Sequence, residues 1–262
     1  MDTIAEKETN DMTLFLTSSP CLDDVPQGVR LPCVFNSING FVDNLRAACR
    51  DGMRMLIIAG DPDNAPLNDE MAQTFRGCFE YHGIHPSFFA LLDTRNEAFA
   101  PQLVAGADFI MLAGGHVPSQ AAFFERIGLR ALMEGFDGVV MGVSAGSMNA
   151  ASTVYVQPEL PGESIDPGFQ RFAPGLGLTD LQTLPHYQMV KDNLLDGRRL
   201  YEDITFGDSH GHAFYVLVDG SYIMQQRGEA CLYGEAYLIR DGVMTMICRK
   251  GESLPLGRQG NR

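Results

Sequence analysis

The sequence predicts an α/β fold, a three-layer sandwich with a mostly parallel, doubly wound central sheet and a small strand-rich C-terminal extension. Three observations predict it. Between Met12 and Ser144, short apolar runs alternate with amphipathic stretches, as strand-helix-strand crossovers require. A Pro/Gly-rich segment then breaks the rhythm. Beyond it, short strand-like runs are separated by Asp-Gly dipeptides.

Residues 13–17, 54–59, 87–92, 109–112 and 139–143 are the apolar runs that read as the sheet strands. Between them, 40–50, 66–82 and 118–135 carry apolar residues at helical spacing; Phe123, Ile127 and Ala131 share one side of the last. Residues 157–177 contain Pro158, Pro161, Gly162, Pro167, Gly168, Pro174 and Gly175, so they read as a long loop. Loops of that length inside a compact domain usually serve a site. After it, 190–204 reads as a helix, and 212–218, 221–226, 236–240 and 243–248 as strands joined by turns at Asp219-Gly220 and Asp241-Gly242. The expected organisation is one α/β domain over 12–250, with flexible extensions at 1–11 and 251–262.

Composition narrows the function classes. Of 262 residues, 45% are hydrophobic and 20% charged, as in soluble globular chains. No apolar run approaches the roughly 18 residues that span a bilayer. The acidic start Met1-Asp2-Thr3-Ile4-Ala5-Glu6 lacks the pattern of a signal peptide, so a cytoplasmic location is expected. The six cysteines contain no CxxC pair, which argues against zinc ligation and against a disulfide framework. A net charge of -14 with no Lys/Arg cluster excludes nucleic acid as the expected partner and leaves small molecules or peptides. The expected assembly is a monomer or a homodimer.

The chemistry-bearing segment is Gly142-Val143-Ser144-Ala145-Gly146, an apolar strand running into small residues and then a helical pattern. Small neighbours permit the tight turn of a nucleophile elbow, which pushes the serine hydroxyl out at the sheet edge, next to free helix N–H groups. Serine is also a favoured helix N-cap, so the motif alone does not decide between the two roles. A second element supports catalysis: 109–112 ends in the pair Gly114-Gly115, where a bent backbone can aim an N–H at a reacting carbonyl. Gly115 and Ala145 are therefore the candidate oxyanion donors. A serine nucleophile needs a base. Of six histidines, His186 follows the apolar run 176–184 and can be delivered to the same edge; His116, beside the glycine pair, can touch substrate.

This combination of a Gly-Gly strand end, G-x-S-A-G, an acidic Pro-rich loop and a late Pro-His-aromatic resembles the peptidase E and cyanophycinase family of serine peptidases, whose sheet is related to that of class I glutamine amidotransferases. The resemblance runs from about Met12 to Cys248. It implies Ser144 as nucleophile, His186 as base and a loop carboxylate as third member. Glu159 best fits that place, with Glu163 and Asp166 as rivals. It also implies an N-terminal-aspartyl dipeptide (Asp-X) as substrate, whose side-chain carboxylate needs a cation: Arg198 or Arg199, with Lys191 nearby, on the expected helix. The alternatives are a cyanophycinase-like or other amide hydrolase, or a catalytically silent binding protein on the same scaffold. His116 stands where the family often has Asn, and the loop is longer than in small dipeptidases, which bears on specificity rather than chemistry. No metal or organic cofactor is expected.

Overall fold

The structure is a computed structural model that describes residues 11–22 and 24–258. In chain order it contains β1 (Thr13–Thr17), α1 (Phe41–Ala48), β2 (Arg54–Ile58), α2 (Ala65–Tyr81), β3 (Phe88–Leu92), α3 (Ala100–Ala105), β4 (Phe109–Leu112), α4 (Val117–Arg126), α5 (Leu129–Leu132), β5 (Val139–Val143) and α6 (Ala145–Asn149). There follow β6 (Thr153–Tyr155), β7 (Phe172–Pro174), β8 (Gln182–Leu184), α7 (Tyr187–Val190), β9 (Leu194–Leu195), β10 (Arg198–Arg199), α8 (Phe206–Asp208) and β11 (Ala213–Leu217). The chain closes with β12 (Tyr222–Gln226), β13 (Glu229–Tyr233), β14 (Ala236–Arg240), β15 (Val243–Cys248) and β16 (Ser253–Arg258).

The large sheet has the order β16-β13-β12-β1-β5-β4-β2-β3. Its half from β1 to β3 is parallel, and β12, β13 and β16 extend it antiparallel. Alternate residues of the parallel strands enter opposite cores, as a sheet covered on both faces demands. Phe15, Met55, Ile57 and Met111 pack with Phe41, Leu45 and Phe79 of α1 and α2. Leu16, Leu56, Ile58 and Leu112 pack with Val104, Phe123 and Leu129 of α3, α4 and α5. This is the expected doubly wound sandwich.

The C-terminal strands divide between two sheets. β8, β11, β14 and β15 form a smaller sheet with its own core around Phe214, Val216, Tyr155 and Ile239. Asp219-Gly220 is therefore no hairpin turn, because it carries the chain from β11 in the small sheet to β12 in the large one. Asp241-Gly242 does turn a hairpin, between β14 and β15, with φ of 50° and 79°. Residues 253–258, expected as tail, are an edge strand of the large sheet, while 1–10 and 259–262 lie outside the described residues.

Two helical expectations are corrected. The stretch 118–135 is two helices, divided at Gly128 with φ 65°. The helix expected over 190–204 is a short α7, the β9–β10 hairpin and a π-helical segment, Leu200–Thr205. Asp196 and Gly197, with φ of 52° and 79°, make the tight turn between β9 and β10. Both residues need positive φ there, the geometry that Asp-Gly supplies. Among the described residues, no helix is long and apolar enough to cross a membrane.

Candidate active site

Ser144 follows β5 directly and adopts φ 53° and ψ -115°, a strained conformation for a residue with a side chain. The two motif glycines allow it. A Cβ on Gly142 would stand 2.7 Å from the backbone of Ser147, and one on Gly146 would collide with the Leu112 carbonyl. The turn can thus close only if both positions lack a side chain, and the hydroxyl is left half-exposed at the sheet edge.

His186 comes from the end of β8. Its Nε2 lies 2.9 Å from Ser144 Oγ, and its Nδ1 lies 2.8 Å from Asp219 Oδ1. β8 and β11 are parallel neighbours with Leu184 opposite Val216, so residues just beyond their ends emerge side by side. That register is what brings His186 and Asp219 together. β1 and β5 do the same with Thr17 opposite Val143, which sets Ser18 beside Ser144.

Ser18 is fully buried and links the parts. Its Oγ donates to Asp219 Oδ1 at 2.6 Å and accepts from the His186 N–H at 2.7 Å. Ser19 N–H donates to the same carboxylate oxygen at 2.8 Å, and Gln188 Nε2 donates to Oδ2 at 2.5 Å. Burial alone would raise the Asp219 carboxyl. Hydrogen bonds from His186 and Ser18, the imidazole charge and the Ser19 N–H outweigh it and hold the acid below its ordinary range.

The carboxylate against His186 is therefore Asp219, and none of Glu159, Glu163 and Asp166 occupies that place. Asp166 accepts from Gly168 N–H within the loop. Glu163 accepts from the Glu159 and Leu160 N–H groups at 2.8 and 2.9 Å and meets His116 Nε2 at 3.0 Å. His116 Nδ1 lies 2.9 Å from Ser119 Oγ at the start of α4. His116 and Glu163 thus tie the loop to the strand end that bears Gly115. Burial opposes ionisation of Glu163, yet the two backbone donors and His116 keep its carboxyl below the ordinary value.

Beside Ser144 lies a cleft of about 200 Å³, the space of a small ligand group. Gly115 and Ala145 line it, and neither N–H donates to a protein acceptor among the described residues. Val117, Met148, Val190, Leu194, Leu195 and Leu200 form its apolar walls, and Glu159 is its charged lining residue. The β9–β10 hairpin forms one wall and is pinned to the loop, where Asp196 accepts from Gly162 N–H at 2.8 Å and from Ser164 Oγ at 2.7 Å. Arg198 is exposed, and Arg199 is held by Asp203 at 2.7 Å. Neither arginine lines the cleft, nor does Lys191.

Sequence reasoning missed Asp219, Ser18 and the hairpin wall. Asp219-Gly220 carries a hairpin signature that hides a connection between sheets, and nothing local marks Ser18, whose role depends on the β1/β5 register. The Asp-Gly pair at 196–197 was a usable signal for the hairpin.

Residues 62–232 match the sequence profile of peptidase family S51, a stretch that includes Ser144, His186 and Asp219. The chain belongs to peptidase family S51. Two solved structures share the fold of this S51 chain at low identity. A peptidase from an acI-B1 Actinobacterium is 16% identical with a TM-score of 0.63, over 93% of this chain and 96% of that one. A candidate peptidase E protein from Listeria monocytogenes EGD-e is 16% identical with a TM-score of 0.55, over 90% of this chain and 98% of that one. No curated protein matches the S51 chain at a significant level.

Proposed function

We propose that this S51 chain is a serine peptidase that hydrolyses short peptides through an acyl-enzyme on Ser144. The observation that carries the reading is the continuous relay from Asp219 to His186 Nδ1 and from His186 Nε2 to Ser144 Oγ, at 2.8 and 2.9 Å. As Ser144 Oγ attacks the scissile carbonyl, His186 Nε2 takes its proton. Asp219 fixes the tautomer and orientation of the ring and stabilises the imidazolium without taking the proton itself. The N–H groups of Gly115 and Ala145 receive the tetrahedral oxyanion. His186 then protonates the leaving amine, and water, deprotonated by the same ring, releases the acyl group. The triad is thus Ser-His-Asp in this reading rather than Ser-His-Glu.

Substrate preference follows from the cleft walls. An Asp-X substrate would need a cation against its side-chain carboxylate, and the cleft lining offers none; Glu159 would repel it. Apolar walls with a carboxylate at one side suit a short peptide whose side chain in the cleft is uncharged and whose α-ammonium or basic group faces Glu159. A panel of Asp-X, Glu-X, Ala-X and β-Asp-Arg peptides tests this. Ala-X should be cleaved with a higher kcat/KM than Asp-X, Glu-X and β-Asp-Arg, whose acyl residues all carry a free carboxylate, and a tenfold preference for Asp-X would overturn the cleft assignment. The chemistry is tested separately. A fluorophosphonate should add to Ser144, as read by intact mass and peptide mapping; hydrolysis undiminished in Ser144→Ala would rule out this nucleophile.

A further inference from the structure

Three cysteines meet, two from the segment after β1 and one from α2. Cys21 follows the Ser18-Ser19 segment, Cys33 ends the loop that begins there, and Cys78 lies near the end of α2. Cys21 and Cys33 are brought together by a small antiparallel contact, with Cys21 bridged to Phe35, Leu22 N–H donating to the Val34 carbonyl at 2.9 Å and Asn36 N–H donating to that of Pro20 at 2.8 Å. Their Sγ atoms lie 3.1 Å apart, Cys33 Sγ lies 3.3 Å from that of Cys78, and all three fall within 4.8 Å of one another. Cys78 is buried, and Cys21 and Cys33 are half-buried.

We propose that Cys21, Cys33 and Cys78 form a three-thiolate site for a thiophilic d10 ion, Zn(II) or Cu(I). Metal–sulfur bonds of about 2.3 Å at tetrahedral angles place sulfurs about 3.8 Å apart. Two of the separations, 3.1 and 3.3 Å, fall short of that edge and the third is no more than 4.8 Å, so binding requires side-chain adjustments of about an ångström rather than a rearranged backbone. Thiolate sets select these soft ions over Mg(II) or Ca(II). Three protein ligands leave a fourth position for water or an outside ligand. On binding, three S–H bonds are exchanged for three S–metal bonds, and the protons pass to solvent, with no change of oxidation state. The remaining cysteines provide an internal control, since Cys49, Cys231 and Cys248 join no such group among the described residues.

The site also touches the catalytic apparatus through the chain. Cys21 N–H donates to Ser19 Oγ at 3.3 Å, and Ser19 N–H donates to Asp219 Oδ1. An ion joining Cys21 to Cys78 on α2 would hold the Ser18-Ser19 segment in the position that orients Asp219. Occupancy is expected to raise the Tm.

The test uses the full chain, fully reduced and stripped of metal, titrated anaerobically with Zn(II), with Cu(I) and with Co(II) as a spectroscopic probe. One ion per chain, a thiolate-to-Co(II) charge-transfer band and proton release on binding are expected. Cys33→Ser and Cys21→Ser should each lower affinity at least about a hundredfold, whereas Cys49→Ser should leave it unchanged. Circular dichroism checks that each variant is folded. Absence of uptake by the reduced wild-type chain overturns the site, and so does uptake that survives Cys21→Ser and Cys33→Ser together. A Cys21–Cys33 disulfide in the isolated protein, with no ion taken up after reduction, also overturns it and identifies a redox pair instead.

Discussion

Ser144 holds its hydroxyl out by standing at positive φ, a conformation that costs about 1–3 kcal/mol in a residue with a Cβ. Ser144→Gly should therefore be more stable than Ser144→Ala by about 1 kcal/mol, measured by urea unfolding, while both lose turnover. Equal stability of the two would contradict the strain. Asp219→Asn keeps the shape but presents the wrong partner to His186 Nδ1, so kcat should fall by about 10³–10⁴ with the fold intact. Ser18→Ala removes a buried hydroxyl that serves Asp219 and the His186 N–H together. The expected loss is about tenfold in kcat, with KM little changed, since a hydrogen bond to a charged group contributes about 1.5–3 kcal/mol. The carboxyls of Asp219 and Glu163 both lie below their ordinary values in the folded chain. Their stabilisation is then present above the unfolded carboxyl range and lost as the pH falls through the folded values, from about pH 5 downward. Urea midpoints should drop over that window, and less steeply in Asp219→Asn.

At the scale of elements, the β9–β10 hairpin and the 157–177 loop shape the cleft. The β9–β10 hairpin supplies Leu195 at its turn and Leu194 beside it, and Asp196 is anchored by the loop through Gly162 and Ser164. Hydrogen bonds from Ser164 Oγ and the Gly162 N–H hold the Asp196 carboxyl below its usual range. Asp196→Ala should free this wall and raise KM several-fold with a smaller change in kcat, as Michaelis kinetics would report. An equal loss in kcat and kcat/KM would instead place Asp196 in the transition-state machinery. The helix expected over 190–204 failed for an instructive reason. Its apolar spacing fits a helix, but the Asp-Gly pair at its centre favours positive φ at both positions, and the bonds from loop to turn reward that local preference. By contrast, 13–17, 109–112 and 139–143 were readable because strands of a parallel sheet covered on both faces are near-continuously apolar.

Over the whole molecule, the parallel half of the large sheet is the buried base on which the site stands. Leu112 is fully buried in the core beneath the glycine-pair strand end, and its carbonyl packs against Gly146. Leu112→Ala should cost about 2–5 kcal/mol in chemical denaturation. The sequence by itself determined the doubly wound half-sheet, the tight turn at Ser144 and the delivery of His186 to the same edge, because each depends on local spacing: apolar runs, close-packed glycines and a strand end. Tertiary structure decided the third member of the relay, the partner of His116, the composition of the cleft and the meeting of three cysteines. Those features depend on register between strands distant in the chain, where Leu184 faces Val216 and Thr17 faces Val143. A shift of one residue in either pairing would turn Asp219 or Ser18 away, and no local pattern in the chain records that alignment.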